Sequence, residues 1–228
     1  PELLNCVNTA VEQSWHAELD EVLAHYPFAP FSAEPIEQGL INLTLKVTAT
    51  DGQRYIVQRL HHVFTDQVNH NLDVVSKHLA AAGMITPHLY PTVSGALSVT
   101  INQRVWRVLT FIDGCAPNAV DNSAMAYQAG ALLAQFHCAL RDCQLEFASD
   151  RPPVHDFMRH LDHLKAVLSD VAHASHRLYA DVCALSVEIE DARSRLPELS
   201  PGKPRLVHGD PKISNMLFDS AGAAICLI

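Results

Sequence analysis

The sequence predicts an α+β fold in two lobes: a β-rich N-terminal lobe over residues 1–114, opened by a helix, and a mainly helical C-terminal lobe over 115–228 that stops short of completion. Three observations predict it. Short apolar runs punctuated by turn residues dominate up to Gly114, long stretches of helical spacing follow, and a polar loop, His208 to Asn215, lies between two apolar runs near the end.

Residues 7–26 carry Val7, Val11, Trp15, Leu19 and Val22 or Leu23 at helical spacing, and Pro27 and Pro30 end that helix. Thr44 to Thr48, the Asp51-Gly52 turn and Tyr55-Ile56-Val57 read as a hairpin. From Asp66 to Ala82, Val68, Leu72, Val75 and Leu79 form an amphipathic stripe with Gly83 at the stop. Ser94-Gly95 separates two short extended runs, and Val105 to Ile112 is a strand that ends at Asp113-Gly114. Beyond it, helices are expected over 123–142 (Ala129, Leu133, Phe136, Leu140), 155–169 (Phe157, Leu161, Leu164, Leu168) and 177–196 (Val182, Leu185, Ile189, Leu196). Arg205-Leu206-Val207 and Met216-Leu217-Phe218 read as short strands on either side of the polar loop.

The chain's 228 residues, 48% of them hydrophobic, suffice for a real core. No run of about 18 apolar residues and no basic-then-apolar leader is present, so neither a membrane span nor a signal peptide is indicated and the cytoplasm is the expected setting. Six cysteines lie scattered without CxxC pairs and read as reduced packing residues. With 16 Lys and Arg against 25 Asp and Glu, a net charge of −9, and no basic cluster, nucleic acid is not an expected partner. The first residue is a proline and the last six, Ala223 to Ile228, are an apolar run, the ends expected of a fragment.

The loop His208-Gly209-Asp210-Pro211-Lys212-Ile213-Ser214-Asn215 carries the chemistry. In a protein-kinase-like site an aspartate receives or orients the proton of the attacking hydroxyl, and an asparagine five residues later offers its amide oxygen to magnesium. Asp210 and Asn215 have that spacing. Lys212 is placed to neutralise transferring charge, and His208 to orient the loop by hydrogen bonds, since Asp210 already occupies the position of the base. Gln38-Gly39-Leu40-Ile41-Asn42 falls where a first hairpin turns over nucleotide phosphates, with backbone N–H groups around Gly39 as the donors and Asn42 at its end. On the third strand the phosphate contact lies between Gln58 and Arg59, because neighbouring residues face opposite ways; Arg59 is favoured for its charge. The helix that follows has no glutamate for the usual lysine–glutamate pair, leaving Asp66 or Asp73 as substitutes. Arg107 to Gly114 reads as a hinge whose backbone, at Thr110 and Ile112, meets the edges of adenine. Among 14 histidines, His160 and His163 have a spacing that can hold a metal, but no HExxH pattern or cysteine accompanies them.

The Gly39–Asn42 turn, the Tyr55–Arg59 strand, the Arg107–Gly114 hinge and the His208–Asn215 loop together resemble the aminoglycoside phosphotransferase and choline kinase superfamily. Within it, Tyr55-Ile56-Val57-Gln58-Arg59-Leu60, the following Val63-Phe64 and the stretch Val207 to Asp219 look most like the N-acetylhexosamine 1-kinases. The resemblance implies ATP and Mg²⁺, the anomeric hydroxyl of an amino sugar as nucleophile and a sugar 1-phosphate as product. It also implies a second magnesium-binding aspartate just after Cys226-Leu227-Ile228, so the 228 residues alone are expected to transfer phosphate poorly. Homoserine, choline and aminoglycosides are the alternative acceptors. A nucleotide-binding protein without catalysis is the alternative from another class, and a histidine-rich metal protein is a third.

Overall fold

A computed structural model of the chain describes residues 15–36, 41–145, 156–197, 202–203 and 205–228. It contains two compact units, one of residues 1–149 with 205–228 and one of residues 150–204, a division that follows a different line from a lobe boundary at 114.

The larger unit begins with α1, Trp15–Leu23, whose earlier expected turns fall outside the described residues. A five-stranded antiparallel sheet follows: β1 Pro30–Pro35, β2 Leu43–Ala49, β3 Arg54–Arg59, β4 Val99–Ile101 and β5 Arg104–Thr110, in the order β1-β2-β3-β5-β4. Strand β1 was not legible as such: it has proline at both ends and a bulge between Pro30 and Ser32, features confined to sheet edges. The β2–β3 hairpin turns at Asp51-Gly52, as the spacing predicts, with Gly52 at φ 84°.

Period two decides the rest of this unit. Leu45, Val47, Val57, Trp106 and Val108 point to one face and are fully buried beneath Trp15, Leu19, Val22 and Leu23 of α1. Each such aliphatic side chain contributes about 1.5–3 kcal/mol of burial. Thr44, Lys46, Ile56, Gln58 and Leu109, the alternate residues, line a cavity on the other face.

Helix α2, Gln67–Ala81, lies within the expected span and ends before Gly83 at φ 81°. Helix α3, Ser123–Ala139, is capped by Asn122, whose Oδ1 accepts the Met125 N–H at 2.9 Å. A second core joins Leu79 of α2 and Leu132, Phe136 and Leu140 to the hairpin of β6, Met216–Phe218, and β7, Ala224–Leu227. Arg205-Leu206-Val207 is not a strand: among the described residues β6 pairs with β7, nothing offers 205–207 a ladder, and Val207 is exposed.

The smaller unit packs α4, Phe157–Ser169, with α5, Tyr179–Ser194. Tyr179 donates its hydroxyl to the Leu168 carbonyl at 2.7 Å, and Lys165 pairs with Glu190 at 3.3 Å. Leu161 is buried, whereas Leu185 and Leu196 of the predicted stripe are exposed. Among the described residues no three His, Cys, Asp or Glu side chains converge as metal ligands, and no helix is long and apolar enough to cross a membrane.

Candidate active site

The polar loop is built by its own hydrogen bonds. Gly209 sits at φ 83°, a conformation open to glycine, and turns the chain so that the Asp210 N–H donates to His208 Nδ1 at 3.3 Å. That bond leaves the proton on His208 Nε2, which donates to the Ile228 carbonyl at 3.1 Å. His208 therefore orients the loop, and its ring meets the edge of Phe136 in the second core.

A 3₁₀ turn at Ile213–Asn215 brings Asn215 back to Asp210. Its Nδ2 donates to the Asp210 carbonyl at 2.8 Å and to Asp210 Oδ2 at 3.1 Å, and its own carbonyl accepts the Ile228 N–H at 2.7 Å. With the amide nitrogen committed, Oδ1 of Asn215 is left without a protein partner among the described residues. Lys212 Nζ lies 2.8 Å from Asp210 Oδ2. The hydrogen bond from Lys212 is the main reason that the Asp210 carboxyl titrates below the usual carboxylate range, with Asn215 and His208 adding to it against desolvation. Asp210, Lys212 and Asn215 thus form one cluster.

A cavity of about 470 Å³ adjoins it, lined by Asn215, Ser214, Leu217 and Ile228 on one side and by the sheet residues Thr44, Lys46, Ile56, Gln58 and Leu109 on another. Thr110, Phe111, Ile112 and Gly114 close its back. The volume and the apolar walls with few polar groups suit a small-molecule site. The hinge is pinned at both ends. Arg54 reaches Asp113 at 2.6 Å and stacks over Phe111 at 4.6 Å, while Cys115 and Phe218 exchange two backbone bonds of 2.9 Å. Between them Gly114 passes so close to β6 that a Cβ there would meet the Leu217 Cβ at 3.0 Å. The two hinge positions differ. The Thr110 N–H donates to the His88 carbonyl and its hydroxyl accepts the His88 N–H, both at 2.9 Å. Ile112 has its main-chain groups without a protein partner among the described residues.

The first-hairpin turn, with Gly39, lies outside the described residues. Asn42, at its end, is structural: Oδ1 accepts the His61 N–H at 2.9 Å. Arg59 is turned away from the cavity, a correction to the expectation that it faces phosphate. It shares the face of Tyr55 and Val57, pairs with Glu18 of α1 at 3.0 Å and lies over the Trp106 ring at 5.6 Å. Gln58 is the β3 residue on the cavity side. Lys46, which sequence reasoning missed, also faces the cavity and pairs with Glu34 at 3.0 Å; its signal was its alternation with the apolar Leu45 and Val47.

Known proteins share this fold. Over 137 residues the chain is 30% identical to a homoserine kinase of Burkholderia multivorans (strain ATCC 17616 / 249), covering 60% of this chain and 40% of that protein. The structure of amicoumacin kinase hAmiN, in complex with AMP-PNP, Ca²⁺ and Ami, superposes with a TM-score of 0.65 at 16% identity over 96% of this chain and 65% of that one. A microcompartment-associated aminopropanol kinase does so with a TM-score of 0.58 at 15% identity, over 90% and 66%. The chain thus spans less than half of the homoserine kinase and about two thirds of each structural relative. The fold is the kinase-like α+β fold that the element order predicts. A model of the phosphotransferase enzyme family matches residues 32–228, which takes in the sheet, the hinge and the polar loop, and the chain belongs to that family, APH.

Proposed function

We propose that the protein transfers the γ-phosphoryl group of ATP to the hydroxyl of a small metabolite, and that the acceptor is an N-acetylhexosamine, giving a sugar 1-phosphate. The observation that carries the first part is the Asp210–Asn215 pair, hydrogen-bonded at 3.1 Å, with Asn215 lining a cavity backed by a hinge. Asp210 takes the proton of the acceptor hydroxyl as the oxygen–phosphorus bond forms and the bond from phosphorus to the ADP oxygen breaks. Lys212 offsets charge on the moving phosphoryl group. Ile112 presents its backbone to the adenine, and the N–H groups of the turn at Gly39 to Asn42 meet the phosphates.

Asn215 Oδ1 is a neutral oxygen donor of the kind that a hard divalent cation takes, so the residues present fit Mg²⁺ at that point. Bound there, Mg²⁺ supplies neutralisation of the nucleotide phosphates. A cytoplasmic setting, where ATP is abundant, belongs to the same reading.

The sugar acceptor rests on the likeness of residues 55–64 and 207–219 to N-acetylhexosamine 1-kinases. Homoserine is the second reading, favoured by the 30% identity to a homoserine kinase. ATP consumption by the full-length protein is to be measured with N-acetylglucosamine, N-acetylgalactosamine, homoserine, choline and kanamycin, beside an Asp210→Ala control. Turnover with an N-acetylhexosamine, lost in the control, is expected; turnover with homoserine alone would replace the sugar, and nucleotide binding with no turnover on any acceptor would replace the enzyme.

The pairing of Lys212 with Asp210 gives a pH prediction. A carboxyl depressed in the folded state stays ionised as the pH falls through the ordinary carboxylate range, and what it contributes to stability is present above the unfolded value and lost below the folded one. In Lys212→Met the Asp210 carboxyl titrates at higher pH, toward its ordinary value. Carbon-13 NMR of the aspartates reads this directly, and an unmoved Asp210 resonance would separate the two residues.

A further inference from the structure

Strand register orders the cavity face of the sheet into rungs. Lys46, Ile56 and Leu109 form one rung, nearer the hinge; Thr44, Gln58 and Arg107 form the next, nearer the start of β2. At that second rung the cation is Arg107, while Lys46, on the rung nearer the hinge, is already paired with Glu34 at 3.0 Å. Its Nε and Nη2 donate to Gln58 Oε1 at 2.9 and 2.7 Å, and Nη1 donates to Asn69 Oδ1 of α2 at 3.2 Å. Both acceptors are neutral amides. Asn69 is fully buried and its own nitrogen is spent on Asp66, at 3.0 Å, so that carboxylate stands one side chain behind the guanidinium.

A buried guanidinium held by amides keeps its field unneutralised, and burial pushes Arg107 down to about 10, still charged at neutral pH. The two bonds to Oε1 also fix the Gln58 amide: Nε2 is left on the cavity side, where it donates to Thr44 Oγ1 at 3.2 Å. Protein kinases fill this part of the site with a third-strand lysine held by a helix glutamate. Here β3 carries an amide, α2 carries an amide, and the charge stands on β5.

We infer that Arg107 is a positioning residue for nucleotide phosphate, which orients and polarises the Gln58 amide toward the phosphates and supplies the positive field at that end of the cavity. The inference rests on the nucleotide-binding part of the proposed function. It replaces the lysine–glutamate pair with a chain of four side chains, Asn69, Arg107, Gln58 and Thr44, only one of them charged.

The test compares ligands with and without phosphate. Dissociation constants for Mg·ATP and for adenosine are measured by calorimetry on the protein and on Arg107→Met, Arg107→Lys and Gln58→Met. Arg107→Met is expected to weaken ATP by roughly tenfold to a hundredfold, the loss of charge-assisted bonding, and to leave adenosine unchanged. Arg107→Lys restores part of the ATP affinity, and the salt dependence of ATP binding flattens in the methionine variant. Should Arg107→Met not fold, Gln58→Met, which leaves the guanidinium in place, is expected to show the same selective loss of ATP. A parallel loss of ATP and adenosine, or no loss of either, would make Arg107 a structural residue and overturn the inference alone. An unmodified protein that binds neither ATP nor GTP would overturn the functional reading and this inference with it.

Discussion

In the full-length protein, Asp210→Asn is expected to lower kcat by about 10²- to 10⁴-fold, the usual worth of a positioned general base, while the dissociation constant for ATP stays within about twofold. Asparagine matches aspartate in size, and Gly209, which sets the backbone turn, is untouched. The backbone bonds of the loop, from Asp210 N–H to His208 and from Asn215 to the Asp210 carbonyl, do not depend on the carboxylate. What is lost is proton acceptance, together with the ion pair to Lys212 at 2.8 Å, an exposed contact of small consequence for folding. The split between kcat and nucleotide affinity is the informative part. A variant that retains turnover would assign the base elsewhere, and one that loses nucleotide in proportion would make the loop a binding element.

Trp106→Ala is expected to cost about 3–5 kcal/mol and to lower the melting temperature by roughly 6–20 °C. Trp106 is fully buried where β5 meets α1, beside Trp15, Val47 and Val108, so its removal leaves a hole that neighbours on two regular elements cannot close. The Arg59 guanidinium also loses the ring over which it lies, and its pairing with Glu18 then bridges a void. Trp106→Phe keeps most of the apolar volume and should melt well above the alanine variant. Equal melting of all three proteins would mean that α1 is not docked on the sheet in solution.

Local rules carry the sheet and the helices. The β2–β3 hairpin is legible because Leu45 and Val47 alternate with Thr44, Lys46 and Thr48 and an Asp-Gly turn leads into the apolar run Tyr55-Ile56-Val57, and α2 because its stripe stops at a glycine. The orientation of Arg59 was open to the same rule, since it stands two and four residues from the buried Val57 and Tyr55, but charge pointed the other way. Favouring charge over parity overlooks that a strand offers its residues no choice of face. The partners of Arg107 were not legible, because they depend on the placement of β5 beside β3 and of α2 over both, across separations of 38 and 49 residues. The same limit applies to Arg205-Leu206-Val207, where apolar composition suggests a strand but no neighbour among the described residues pairs with it. In the loop, the identities of Asp210 and Asn215 are visible in the sequence; their bond at 3.1 Å comes from a 3₁₀ turn that composition does not announce.

The two ends of β1 bear on how molecules of this protein meet one another. An open sheet invites any extended chain to dock along its rim, and the rim here is β1 on one side and the three-residue β4 on the other. Pro30 and Pro35 have no N–H to offer a newcomer, and the bulge after Pro30 bends the strand off a straight docking line. The exposed Phe31, which would otherwise be an adhesive spot on a strand border, thus sits on a stretch too interrupted to template a foreign strand. A segment that supplies little to core packing thus makes this rim a poor template for edge-to-edge pairing.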